Sequence, residues 1–191
     1  FINNQLQETA TNLTDLSGWW KSVAAADLDG DGDQDLVFGN IGENFYLQPS
    51  IKRPVKMWIN DFDNNGSREK ILTKTVNGKD VPVFLKRELT DQIASLKKQN
   101  LRYHSFAKKS IQELFPKDIM DKTEHKLFNY SASCIAWNEG NGKFTIAELP
   151  ATVQFSSVNA IHCADINSDG LADIICGGNQ YGFRPQFARL D

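Results

Sequence analysis

Apolar residues along this chain come in short runs, and acidic, glycine-bearing turns break them. "SVAAAD", "VKMWIND" and "VNAIHCAD" each lead into such a turn, and "LVFGN", "KILTKTV" and "IICGG" follow the same turns. Strand-length β-rich runs on both sides of a turn predict a hairpin. Within residues 80–128 the period changes. Leu85, Leu89, Ile93 and Leu96 fall on one face of a helix, and Thr90 or Asp91 offers a cap for a shorter version. A second helix is expected around Ser105–Phe115, with Phe106, Ile111, Leu114 and Phe115 apolar and Pro116 as its stop. The pattern predicts a mostly β, antiparallel architecture divided as 1–79, 80–128 and 129–191, the middle part being a two- or three-helix insertion.

The turns repeat. "DLDGDGDQD" at 27–35, "DFDNNGSRE" at 61–69 and "DINSDGLAD" at 165–173 all obey D-x-[DN]-x-[DN]-G-x-x-[DE]. Five aspartates in the first loop's nine positions repel one another unless a cation or water compensates. Alternate residues of a tight loop can turn oxygens inward, glycine at position 6 (Gly32, Gly66, Gly170) permits the bend, and position 7 can offer its backbone carbonyl. Such a set suits Ca²⁺, which takes six or more oxygens in flexible geometry, better than Mg²⁺, which demands a stricter octahedron. With no convergent His or Cys, zinc and copper are disfavoured. The candidate ligands are Asp27, Asp29, Asp31, Asp33 and Asp35; Asp61, Asp63, Asn65, Ser67 and Glu69; and Asp165, Asn167, Asp169, Leu171 and Asp173. Asp33, Ser67 and Leu171 occupy position 7. The first loop, richest in carboxylates, is expected to bind most tightly. An EF-hand would close with Glu at position 12 between helices, whereas position 12 here is Phe38, Leu72 and Cys176, between strands.

Beyond the loops, "GWWKSVAAADLDGDGDQDLVFGNIGEN" and "NEGNGKFTIAELP…SSVNAIHCADINSDGLADIICGGN" resemble FG-GAP (VCBS-type) repeats, the units of integrin-α-like β-propellers. The resemblance implies propeller blades with Ca²⁺ held between their first strands. It also implies an N-x-G-x-G-x-F turn before each unit, matched by Asn138, Gly140, Gly142 and Phe144 and, degenerately, by "FINNQLQET". The arrangement is most similar to bacterial surface or exported proteins with FG-GAP repeats before an ASPIC/UnbV-type module, which is absent here. On this reading the chain is a fragment of a seven-bladed propeller, located extracellularly, in the periplasm or on the outer-membrane surface.

Composition changes this picture little. The 191 residues carry a net charge of −3, which argues against a general nucleic-acid binder, and no apolar run reaches bilayer length. The chain starts "FINNQLQETA", without an initiator Met, as a piece of a longer polypeptide would. Cys134, Cys163 and Cys176 lie in strand-like runs and read as buried thiols, with a Cys163–Cys176 bridge as the alternative. His162 reads as a packed strand residue; His104 and His125 join it in no cluster. No nucleophile–base arrangement, G-x-S-x-G, HExxH or P-loop is present. Trp19, Trp20, Trp58, Trp137, Tyr46 and Tyr181 could stack on sugars, though aromatics beside strands also fit blade packing. Lys86, Arg87, Lys97, Lys98, Arg102, Lys108 and Lys109 make the insertion's polar side basic, either as a solvated face or as a surface for an acidic partner or anionic glycan.

The expectation is a non-catalytic, Ca²⁺-binding scaffold for adhesion or for protein or glycan binding. Two to three metal sites and no transmembrane segment go with it. The alternative is the propeller part of a polysaccharide-processing enzyme whose catalytic residues lie outside this chain or on the blade face.

Overall fold

The structure is a computed structural model that describes residues 10–99, 102–179 and 182. In chain order, the strands are β1 (Ser22–Ala26), β2 (Asp35–Gly39), β3 (Val55–Asn60), β4 (Glu69–Val76) and β5 (Lys79–Pro82). Five short helices follow: α1 (Lys86–Gln92), α2 (Leu96–Gln99), α3 (Tyr103–Phe106), α4 (Ile111–Leu114) and α5 (Lys117–Met120). The remaining strands are β6 (Glu124–Phe128), β7 (Cys134–Asn138), β8 (Phe144–Glu148), β9 (Ala160–Ala164) and β10 (Asp173–Gly177). The fold is mostly β and every strand pairing is antiparallel.

Two compact units divide the chain, one of residues 1–48 with 130–191 and one of 49–129. The sequence pattern placed the boundary at residue 79. The second acidic hairpin instead shares a unit with the helices, because its strands supply the sheet on which they pack.

In the first unit a four-stranded sheet runs β1-β2-β7-β8. Its central pairing joins segments about a hundred residues apart, with Leu36 opposite Ala136 and Phe38 opposite Cys134. The alternation of "DLVFG" gives β2 a buried–half-buried pattern of period 2, and Val37 is fully buried. Against this face packs the two-stranded β9–β10 sheet, through Ile161, Cys163, Ile174 and Cys176 beside Leu28, Val37 and Leu149. The three cysteines are free. Cys134 is buried while Cys163 and Cys176 are half-buried, and they lie opposite Ile174 and Ile161 rather than each other. Burial raises the thiol pKa of all three, that of Cys134 to about 11. His162 is a correction to the sequence reading: it lies in β9 but is exposed, because Cys163 takes the packed face.

Buried polar groups also tie this unit together. Gln154, 3% exposed, donates to the carbonyls of Ser133 (2.8 Å) and Leu149 (3.0 Å) and accepts from the Ser133 N–H (2.9 Å). Asn40, fully buried, donates to the Tyr130 carbonyl at 3.2 Å and accepts from the Ile41 N–H at 2.8 Å. Burying amides this deeply is tolerable only because each is hydrogen-bonded. "N-x-G-x-G-x-F" forms the turn joining β7 to β8 inside the sheet. Its degenerate counterpart at residues 1–9 lies outside the described residues.

In the second unit the sheet order is β5-β4-β3-β6. Trp58 and Ile71 on one face meet Leu89, Ile93, Leu96, Phe106, Ile111, Leu114 and Phe115 from the helical segment. The helices are shorter and more numerous than the apolar period predicts. Leu85 only caps α1 and is 61% exposed, while Ile93 takes φ −123°, ψ 88° and ends it. The expected helix over 105–115 is broken between Phe106 and Ile111, where Ser110 takes an extended conformation and its N–H donates to Glu113 at 2.7 Å. Phe115 adopts φ −122°, ψ 148°, as the residue before a proline must. Apart from Leu85, the apolar positions are buried as the pattern implies. Helix continuity is what fails.

Among the described residues, no helix is long and apolar enough to cross a membrane.

Candidate metal centre

Each acidic loop joins the two strands of a hairpin, β1–β2, β3–β4 or β9–β10. The three share one internal frame. The position-1 carboxylate accepts from the position-6 glycine N–H: Asp27 from Gly32 at 3.1 Å, Asp61 from Gly66 at 2.8 Å, Asp165 from Gly170 at 3.0 Å. Position 5 accepts from the N–H of position 7, as Asp31–Asp33, Asn65–Ser67 and Asp169–Leu171 do at 2.8, 2.7 and 2.9 Å. Position 9 accepts from the N–H of position 2, so Asp35, Glu69 and Asp173 hold Leu28, Phe62 and Ile166 at 3.1, 3.0 and 3.0 Å. These side-chain-to-backbone bonds curl the chain so that oxygens face inward.

Gly32, Gly66 and Gly170 take φ of 95°, 88° and 91°, the left-handed region in which a Cβ is strained. Position 4 is left-handed as well: Gly30 at 81°, Asn64 at 56° and Ser168 at 62°. The sequence reading left position 4 unused. Gly, Asn and Ser in register there carried the signal, since Gly and Asn tolerate positive φ best.

Carboxylate oxygens converge in two of the loops. Asp27, Asp29 and Asp35 bring one oxygen each to within 4.8 Å of the others, and Asp61, Asp63 and Glu69 do the same. Positions 1, 3 and 9 therefore form the nucleus, and either triad could hold a metal ion. Asp31 and Asp33 stand outside the first triad. In the third loop position 3 is an amide, and Asn167 donates to Asp169 at 2.9 Å. That bond and the Leu171 N–H lower the Asp169 pKa, the N–H having the larger effect.

Asp35 is anchored more deeply than its position in the motif suggests. It is 2% exposed, and its second oxygen accepts from the Asn138 N–H at 2.8 Å, tying the loop to the β7–β8 turn. Asp63 is the converse case. Its Oδ1 is buried without a hydrogen-bond partner among the described residues. Phe62 sits 4.5 Å from Phe115, and Asn60 donates to the Ile119 carbonyl (3.1 Å) and the Thr123 hydroxyl (3.0 Å). The second loop is thus fastened to the helical layer.

Of the candidate aromatics, Trp58 is core and donates to Thr73 Oγ1 at 2.9 Å, whereas Trp20 and Tyr46 are each 36% exposed. Tyr181 lies outside the described residues.

Repeated strand–acidic loop–strand hairpins on antiparallel sheets define a mostly β protein built from one recurring unit. Residues 19–48, which span β1, the first loop and β2, match the FG-GAP repeat family, so the chain carries an FG-GAP repeat. No curated protein and no solved structure matches the chain.

Proposed function

We propose that this chain is a calcium-stabilised, propeller-type scaffold of the cell exterior that binds a protein or glycan and catalyses no reaction. The observation that carries the reading is the convergence of carboxylates at positions 1, 3 and 9 of two hairpin loops. The all-oxygen donor set and the orphaned Asp63 Oδ1 fit a hard cation such as Ca²⁺. The FG-GAP repeat over 19–48 supports the adhesion-type scaffold. Asp27, Asp29 and Asp35 would hold one ion and Asp61, Asp63 and Glu69 another, with Asp165, Asn167, Asp169 and Asp173 as a third set. Bound Ca²⁺ would neutralise the mutual repulsion of these carboxylates. The chain's own part is to pre-form each loop: glycine sets the bend, and backbone N–H groups aim the oxygens before a cation arrives. Because a folded loop binds and an unfolded one does not, calcium and folding are linked.

The test is thermal. At 100 times the Kd, calcium adds about 2.7 kcal/mol per site to stability, which raises the Tm by several degrees. Millimolar CaCl₂ should therefore raise the Tm and EDTA lower it. A Tm indifferent to both sinks the metal reading.

A further inference from the structure

We propose that the outer face of the helical layer in residues 49–129 binds an acidic polysaccharide, with Tyr103 as the stacking ring and Lys86, Lys97, Arg102 and Lys108 as partners of its carboxylates or sulfates. This rests on the scaffold reading above and narrows its ligand class.

Between Asp91 and Glu113 the chain has no acidic residue but five Lys or Arg, in a protein whose net charge is −3. The buried Leu89, Ile93, Leu96, Phe106 and Ile111 turn the other side of this segment toward the sheet, leaving Lys97, Arg102, Tyr103 and Lys108 exposed. Among the described residues, the unit's ion pairs are Lys56–Asp80, Arg68–Glu124, Lys79–Glu113 and Arg87–Asp91. None engages Lys97, Arg102 or Lys108, so their charge faces solvent. Tyr103 is 66% exposed and the Lys86 ammonium lies 4.7 Å from its ring centre. A sugar ring laid on the exposed tyrosine therefore brings its acid group close to a cation.

The same features fit a lipid surface poorly. Among the described residues, the exposed large apolar side chains here are Leu85 and Tyr103, and the helices span seven residues in α1 and four in α2 and α3. Neither makes the continuous apolar face that interfacial helices bury.

The experiment uses the whole chain in millimolar calcium, with fluorescein-labelled heparin oligosaccharide as probe and anisotropy as readout. Binding is expected, weakening as salt rises. The Lys97→Glu/Arg102→Glu variant should bind at least about tenfold more weakly, and Tyr103→Ala about fivefold more weakly, with Tyr103→Phe close to wild type. All variants should keep the wild-type Tm and its calcium response, which separates loss of this surface from failure of the metal reading. Absence of binding by the wild type, or equal binding by the charge-reversed variant, overturns the proposal. So does equally tight binding to phosphatidylserine vesicles or duplex DNA, which would mark another partner class or unselective charge attraction.

Discussion

Asp29, Asp33 and Asp35 lie within seven positions and have three different roles. Asp29 belongs to the convergent triad, is exposed and, among the described residues, bonds only within its own loop, accepting from the Asp31 N–H at 3.2 Å. Asp33 lies outside the triad. Asp35 belongs to it and also holds the N–H groups of Leu28 and Asn138. Asp29→Ala should therefore weaken calcium binding, by about tenfold or more for a lost carboxylate ligand, with little change in Tm in EDTA. Asp33→Ala should do much less to calcium affinity. Asp35→Ala should lower the Tm even in EDTA, since it strands two N–H donors at about 1–3 kcal/mol each. Isothermal titration with calcium and melting in EDTA separate the three, and equal calcium effects for Asp29 and Asp33 would show the ligand register is wrong.

Elements in this chain end where a particular side chain captures the backbone. Glu113 accepts from the Lys79 ammonium at 2.9 Å and the Ser110 N–H at 2.7 Å, so one carboxylate links β5 to the start of α4. The Lys79 hydrogen bond first, and then Ser110, lower its pKa from 4.5 to about 2. A depressed folded-state value stabilises the native protein above pH 4.5, and that contribution is lost as pH falls toward about 2. Glu113→Gln should lower the Tm slightly at pH 7 and leave it unchanged once both states are protonated below about pH 2. Melting curves across that range check the crossover, and a pH-independent difference would assign the effect to packing. The Glu113 side chain is about half exposed, and solvent screening keeps the expected shift small.

At the scale of the whole molecule, sheet neighbours β2 and β7 are separated in sequence by the second unit, and the four-stranded sheet draws none of its strands from residues 49–129. Replacing residues 50–128 with a short Gly/Ser linker should leave the first unit folded, with its β circular dichroism and the calcium response of its loops retained. Loss of cooperative melting would show that the sheet needs the second unit in order to form. Contact between β1 and β9 and the shared cluster around Val37 make the β9–β10 hairpin part of the same core, so it should melt with the sheet.

Local pattern determined much of this protein. Period-2 runs placed β1, β2, β3, β4, β9 and β10, and motif spacing placed the acidic loops, because a hairpin and its turn are set by neighbouring residues. The buried helix positions Leu89, Ile93, Leu96, Phe106 and Ile111 were legible for the same reason. Tertiary structure alone decided the pairing of Leu36 with Ala136, the bond from Asn138 to Asp35, the buried Gln154 clamp and the grouping of the second loop with the helices. It also left His162 exposed and broke the helices. Each of these depends on which distant backbone or side chain meets a group in space, and local periodicity carries no record of that.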